Sequence, residues 1–543
     1  RLLEERLEDE RLRPVLRPRA HRETLLLLSL IRAFQGNGEE AYRYAVRGTD
    51  RGQHLGSPYV TAVGHMRQGH AWLLRDELTA YEAACHNYRE AIALGNALAV
   101  PRLKVEAFWG LCRAHGFKGE IAAAEQASEQ GIAIAERAGD EWIAALIRLS
   151  LSAAYVLLER DDRALLGLSQ ALTMFRECGD TFGEALARLW QCLAWRQRKD
   201  KTRLRRGTNE LLALARHHGY DYIFKRQTLL GPPDPRQAVP LLLVARHDGR
   251  QRAYAEMLLQ ELGLEGLEIH PGYQLRVQTL GPFRVWRGRK EIAADAWQRE
   301  KTRHLFQFLI THRSRPLDRD QIVEMMWPGL DTETGRRDFK VALSTLRHVL
   351  EPNREPGAPS AYVARTGSRY GLRRGADVWI DAQQFEGLVA KGDAASERDR
   401  DDALEIYQEA VAVYQDDYLR DCLYEDWCSA ERERLLTLYL RVADRIVGYW
   451  VNREAWEDVI PVCEAILARD DCWEQAYRSM MRAYAEVGNR VQALRTYQRC
   501  ATTLRETMDI APSKTTQSIY EEIRWQERAQ GATETRAAPH LPG

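Results

Sequence analysis

Residues 335–350 read GRRDFKVALSTLRHVL. Phe339, Leu343, Leu346 and Leu350 step by 4, 3 and 4, so a helix stacks them into one apolar stripe. Arg336, Lys340, Ser344 and Arg347 step by 4, 4 and 3 and make a second stripe, flanked by Arg337 and Thr345. A helix divided this way buries its back and offers cations and a hydroxyl at its front. That front suits the phosphates and base edges of a duplex major groove. A solvated amphipathic helix has the same pattern, so the flanking sequence must decide.

Upstream, DRDQIVEMMW (318–327) supplies Ile322, Val323, Met326 and Trp327 as the packing face of a second helix. PGLDTETG (328–335) is a turn offering Asp331, Thr332 or Thr334 as N-cap. A third helical pattern covers 298–312. Before the helices, QLRVQTLGPFRVWRGRKEI (274–292) alternates Leu275, Val277 and Leu280, then Phe283, Val285 and, past Gly288, Ile292. That is the period of short antiparallel strands. After them, AYVARTGSRYGLRR (361–374) alternates about a hairpin tip at Thr366-Gly367-Ser368. The hairpin carries Arg365, Arg369, Arg373 and Arg374. A basic hairpin beside a basic helix reaches the adjacent minor groove or its phosphates.

Charge points the same way. The 543 residues balance 78 Lys+Arg against 78 Asp+Glu. Between Gln274 and Ala376, however, 20 Lys+Arg stand against 11 Asp+Glu, an excess of +9 that the rest of the chain offsets. A basic module within an acidic remainder implies a polyanion at that module.

The outer blocks are helical. ERAGDEWIAAL (136–146) is echoed by RECGDTFGEAL (176–186), and Gly56, Gly95, Gly139, Gly179 and Gly219 recur at steps of 39, 44, 40 and 40. This is the signature of stacked helix-turn-helix units, each glycine closing a helix in a left-handed cap. The four prolines of LLGPPDPRQAVP (229–240) end the solenoid. A helical pair comes next, and GLEIHPGYQ (266–274) reads as a hinge. Beyond residue 377 helices return: DVIPVCEAIL (458–467) aligns with QALRTYQRCA (492–501) at a shift of 34. The tail 528–543 has no apolar face and reads as disordered.

The expected fold is therefore mainly α. Its parts are helical repeats over 1–228, a helical pair and linker over 229–273, an α+β winged helix-turn-helix over 274–376, a helical-repeat domain over 377–527 and the tail. Residues 275–381 resemble the winged helix of OmpR/PhoB-type response regulators through Met326-Trp327, STLRHVL and the hairpin VARTGSRYGL. Residues 275–525 resemble the bacterial transcriptional activator domain (BTAD) regulators of the antibiotic-regulatory class. In these a helical domain follows the winged helix directly. The residues carrying the resemblance are Asp381 and Phe385 of WIDAQQFEGLV; VYQDDYLRD, with Asp416 at the family's glycine; Trp427, Arg432 and Arg434; and Glu474, Met481, Tyr484, Gly488, Ala493, Tyr497 and Pro512. The 1–228 repeats are similar to tetratricopeptide repeats, and more loosely to the sensor arm of maltose-activator-type ATPase regulators, which carry a nucleotide-binding module upstream. No G-x-x-x-x-G-K-[ST] occurs in this chain.

Other chemistries find no support. No catalytic or zinc-ligand spacing occurs; His217 and His218 sit at a helix end, and the nine scattered cysteines include no C-x-x-C. They read as core thiols of a reducing cytoplasm. The opening RLLEERLEDERLRP is no signal peptide and lacks Met, so a longer parent chain is expected. No apolar run is long enough to span a membrane. The expectation is a sequence-specific DNA-binding regulator, neither enzyme nor cofactor protein. Arg336, Arg337, Lys340, Ser344 and Arg347 would face the major groove, and Arg365, Ser368 and Arg369 would act from the hairpin. The resemblance implies activation, direct-repeat sites, and a helical domain serving dimerisation or contact with RNA polymerase. The solenoid's concave face would receive a protein or small-molecule inducer. The rival expectation is a helical-repeat scaffold that uses its winged helix for protein contacts.

Overall fold

A computed structural model of the chain describes Glu5 and residues 23–77, 79–248, 250–398 and 402–534. The opening of the expected solenoid, other than Glu5, lies outside the described residues up to residue 22. The chain is mainly helical and forms two compact units. The first comprises Arg1–Gln274 with Asn353–Ala361 and Arg373–Asp377; the second comprises Leu275–Pro352, Tyr362–Leu372 and Val378–Gly543.

Helical hairpins build the first unit: α1 (Thr24–Phe34) with α2 (Gly38–His54), α3 (Pro58–Trp72) with α4 (Ala80–Ala97), α5 (Arg102–Lys118) with α6 (Ile121–Ala138), α7 (Glu141–Leu157) with α8 (Asp161–Glu177), and α9 (Thr181–Gln197) with α10 (Lys201–His218). The first helix of each pair also touches the first helix of the next, so the odd-numbered helices form an inner layer. That layer curls until Phe34 of α1 meets Phe182 of α9, ring centroids 5.7 Å apart. Close approach needs glycine where an aromatic ring intrudes. The Tyr88 ring lies 2.6 Å from the place of a Cβ on Gly69 and 2.2 Å from one on Gly110.

The glycine period holds with one exception. Gly56, Gly139, Gly179 and Gly219 have φ of +57°, +67°, +69° and +69° and end α2, α6, α8 and α10. Gly95 instead lies inside α4 against Lys104 and Leu103, and Ala99, at φ +55°, takes the left-handed position. This accounts for the irregular steps around Gly95.

After α11 (Tyr222–Lys225) helix stops ahead of the prolines; Pro232 and Pro233 fall in the irregular stretch, while Pro235 and Pro240 lie in the first turns of the helical elements beyond it. Residues 226–234 have neither helix nor strand and are largely buried against the inner layer, so the concave face expected to receive an inducer is filled by the chain itself. A 3-10 turn (Pro235–Ala238), α12 (Val239–Asp248) and α13 (Arg252–Glu261) come next. The expected hinge at 266–274 is anchored. His270 is buried and bonded to Asp377 at 3.3 Å, and Arg236 Nε and Gln274 Nε2 donate to the same carboxylate at 2.6 Å each. Burial raises the Asp377 pKa, but the bonds from His270, Arg236 and Gln274 outweigh it and hold the carboxyl low.

In the second unit, β1 (Leu275–Gln278), β2 (Arg284–Arg287) and β3 (Lys290–Glu291) form an antiparallel meander. Three helices succeed it: α14 (Glu300–Thr311), α15 (Arg319–Met326) and α16 (Thr332–Leu350). Strand β4 (Leu317–Asp318) precedes α15 and pairs with β6 (Arg369–Leu372) of the β5–β6 hairpin, whose first strand is Val363–Thr366. Strand β7 (Val378–Ile380) then returns parallel to β1, giving the order β3-β2-β1-β7. Arg276 stacks between Trp286 and Trp379 across this sheet, 5.3 and 5.0 Å from their centroids.

The remaining helices leave directly from β7: α17 (Asp381–Glu397), α18 (Ala403–Val413), α19 (Ser429–Asn452), α20 (Trp456–Leu467), α21 (Glu474–Glu486), α22 (Arg490–Met508) and α23 (Lys514–Glu534). Helices α20 and α22 begin 34 residues apart, the period read from the sequence. Helix α23 covers the first part of the tail expected to be disordered, and 535–543 lie outside the described residues.

Candidate nucleic-acid interface

The apolar stripe of 335–350 is the buried back of α16. Phe339, Leu346 and Leu350 are fully buried and Leu343 nearly so. Phe339 meets Tyr370 of β6 edge-on at 5.0 Å and Trp327 at 6.4 Å, tying α16 to the hairpin and to the end of α15. Gly335, which opens the quoted stretch, lets α15 approach: a Cβ there would lie 2.4 Å from Val323. Of the three N-cap candidates Asp331 serves, accepting from the backbone N–H of Glu333 and Thr334 at 3.0 and 2.9 Å.

The outer face differs in phase from the expected stripe. Arg337, Lys340, Val341, Ser344 and His348 are exposed, and they recur at helical spacing along one ridge. The Arg337 side chain is 71% exposed, with Asp338 beside it at 3.6 Å. Arg336 and Arg347 are half-buried on its flank. Arg336 forks onto Asp320 of α15, its Nε 2.8 Å from Oδ1. The Arg336 guanidinium holds the Asp320 carboxyl down to about 2, so the charge of Arg336 is met inside the module. Sequence reasoning missed Val341 and His348, although the phase of Arg337 and Ser344 was enough to find them.

The hairpin tip is likewise partly committed. Arg365 and Arg369 are exposed, and Arg365 donates from Nε to the carbonyl of Gly367 at 2.9 Å. The Ser368 hydroxyl donates to Asp318, whose carboxylate also caps α15, and the Arg319 N–H donates to the Ser368 carbonyl at 2.9 Å. The Ser368 bond lowers the Asp318 pKa. Ser368 is exposed, and its hydroxyl and carbonyl pin the hairpin to the start of α15. Arg373 donates to the carbonyl of Ser360 at 2.9 Å and belongs to the first unit.

Residues beyond β7 fasten this module to the C-terminal helices. The buried Asp381 carboxylate accepts from the N–H of Thr279 and of Leu280 at 2.8 Å and from the Thr279 hydroxyl at 2.6 Å. Leu280 bridges Tyr418, and the Leu419 N–H donates to the carbonyl of Thr279 at 2.7 Å. Leu419 adopts a φ of +48° in this turn, while Asp416 accepts from Asp417 and Arg420. Arg432 holds the loop by donating to the carbonyls of Tyr418 and Cys422 at 2.9 Å each. Arg313, after α14, pairs with Glu386 and Glu431 at 2.9 and 3.0 Å, and Trp427 meets Phe308 at 5.6 Å.

Elsewhere, His217 and His218 pack on each other and His218 stacks on Tyr220. The metal-capable cluster found among the described residues, Asp470, Asp471 and Cys472, lies on a turn where Asp470 already accepts from the Cys472 N–H. No described helix is long and apolar enough to cross a membrane.

No curated protein matches this sequence. Among solved structures, Mycobacterium tuberculosis EmbR in complex with a low-affinity phosphopeptide is 19% identical at a TM-score of 0.40, the alignment covering 47% of this chain and 66% of that one. The P58(IPK) TPR domain is 11% identical at a TM-score of 0.19 over 94% of this chain and 99% of its own. The helical segment that succeeds the basic module matches, over residues 380–524, the family described as the bacterial transcriptional activator domain.

Proposed function

We propose that this chain is a DNA-binding transcriptional activator in which residues 275–380 act as a winged helix-turn-helix. Helix α16 enters the major groove with Arg337, Lys340 and Ser344 foremost. Arg347 reaches phosphates from the flank while Asp320 holds Arg336 back, and Arg365 and Arg369 contact the neighbouring backbone or minor groove. The observation that carries this reading is the exposed ridge of α16, seated on a buried apolar back beside a basic hairpin. The match of 380–524 to the activator domain supports assigning the C-terminal helices to self-association or RNA polymerase contact. The solenoid receives the signal, and the protein works in the cytoplasm as a binding protein without a catalytic step.

Selection of genomic fragments with purified full chain, followed by titration at graded salt, tests the reading. With about five Lys/Arg on phosphates, log affinity falls with log salt at a slope of roughly −4 to −5. Weak, sequence-indifferent binding together with a co-purifying protein partner would overturn it in favour of a scaffold.

A further inference from the structure

Residues 226–234 present an anomaly. The segment has no helix or strand, yet Thr228, Leu229, Leu230, Gly231 and Pro232 are all buried. Irregular backbone is normally kept at the surface because its N–H and C=O groups need partners. Here the inner layer supplies them. Arg113 of α5 donates to the carbonyls of Thr228 and Gly231, 3.4 Å each. Trp190 of α9 donates from Nε1 to the carbonyl of Leu230 at 2.9 Å. The Leu229 N–H donates to the carbonyl of Ala33 in α1 at 3.1 Å, and the Gln227 amide donates to the carbonyl of Leu73 at 3.2 Å. The guanidinium of Arg226 reaches Asn37 at 2.5 Å. Four of the five hairpins therefore hold one short irregular segment, mostly by its main chain.

Arg113 is the telling residue. It is 2% exposed, its guanidinium lies 4.0 Å over the Phe117 ring, and burial pulls its pKa down to about 9, which leaves it cationic at neutral pH. A buried cation is costly, and an apolar side chain would fill the same space without that cost. A buried guanidinium nitrogen, Nη2, shared between two main-chain carbonyls is instead suited to gripping a peptide whose side chains are free to vary. Leu229 and Leu230 fill the apolar part of the groove, both nearly or fully buried.

We propose that the inner face of the solenoid is a peptide-binding groove, that residues 226–234 are its resident occupant, and that its partner is a protein segment of the same chemistry, paired leucines followed by glycine and prolines, which takes the resident's place. The groove stands whether or not α16 binds DNA. Its role as the signal input rests on the proposed function. A resident tethered in cis acts at an effective concentration on the order of millimolar, so a partner competes when the resident is loosened or when the partner is locally concentrated.

The test uses full chain carrying Leu229→Ser and Leu230→Ser, and a fluorescent synthetic peptide with the sequence of residues 226–235. The peptide is expected to bind the double variant saturably and at least about tenfold more tightly than it binds wild-type chain, whose groove is filled. Adding Trp190→Phe, which keeps the ring and removes the donor, is expected to weaken binding about fivefold. Intact helices without peptide binding would overturn the proposal. So would a solenoid whose helices lose hydrogen-exchange protection in the variant and do not regain it with peptide, because the segment would then be ordinary core. Arg113→Met gives a second reading that spares the leucines: amides 227–231 should gain exchange while α1–α10 keep theirs, and equal loss across the hairpins would sink the idea.

Discussion

Arg113 on α5 and Arg337 on α16 are the same residue in opposite surroundings. One is enclosed and answered by carbonyls of its own chain; the other projects from a ridge. Similar contrasts run through the two regions. In the inner layer of the first unit, Arg67 pairs with Glu106, and His70 sits between the Tyr88 hydroxyl at 2.8 Å and Glu106 at 3.0 Å. On the ridge of α16, Lys340 and Ser344 are exposed. The lesson is that the ionic groups of the solenoid are enclosed and answered by its own chain, whereas those of the α16 ridge point away from the core and, on the proposed reading, are left for a polyanion.

The most severe test of that contrast is Arg113→Met. It strips two buried carbonyls of a charge-assisted donor and should lower the local stability of the 226–234 segment by about 3 kcal/mol, read from hydrogen exchange at amides 227–231 while α1–α10 keep their protection. The next is pH. Burial, with the charges of Arg67 and Arg113, holds the His70 pKa well below its ordinary value, so the folded chain keeps the ring neutral while the unfolded chain protonates it. Stability should therefore rise with pH up to about 6.5 and fall below it by at most about 1.4 kcal/mol per pH unit; His70→Gln should flatten that slope. A weaker effect is expected on the ridge. Arg337→Ala or Lys340→Ala should cost DNA affinity about fivefold to tenfold and reduce the salt slope by about 1, with the melting temperature unmoved. The smallest effect belongs to Arg336→Ala, because Asp320 already holds that guanidinium. A loss as large as at Arg337, seen in the same titration, would mean that the Asp320 pair opens onto DNA.

The sequence displayed whatever depends on neighbours within a turn or two. The spacing of Phe339, Leu343, Leu346 and Leu350 is enough to orient α16, and Gly139, Gly179 and Gly219 mark helix ends because a left-handed cap is a local demand. Facts set by distant partners stayed hidden. Arg336 and Arg337 look alike until Asp320 claims one of them. Ser368 looks like an outward hydroxyl until Asp318 lies beneath it. The prolines of 229–240 announce that helix stops, but not that the chain turns inward, since that depends on Arg113 and Trp190 far upstream. Arg432 was visible as part of a resemblance; its task of bracing the Tyr418 loop was not.

The parallel pairing of β7 with β1 sets a rule for anyone dividing this protein. A fragment ended at Ala376 would lose the edge strand, the second tryptophan over Arg276 and the carboxylate that grips Thr279, so its sheet would open along one side. The basic module and the helices behind it therefore share one continuous framework, with β7 as an element of both. Within that framework, α19 reaches the base of the module twice, through Arg432 to the Tyr418 loop and through Glu431 to Arg313.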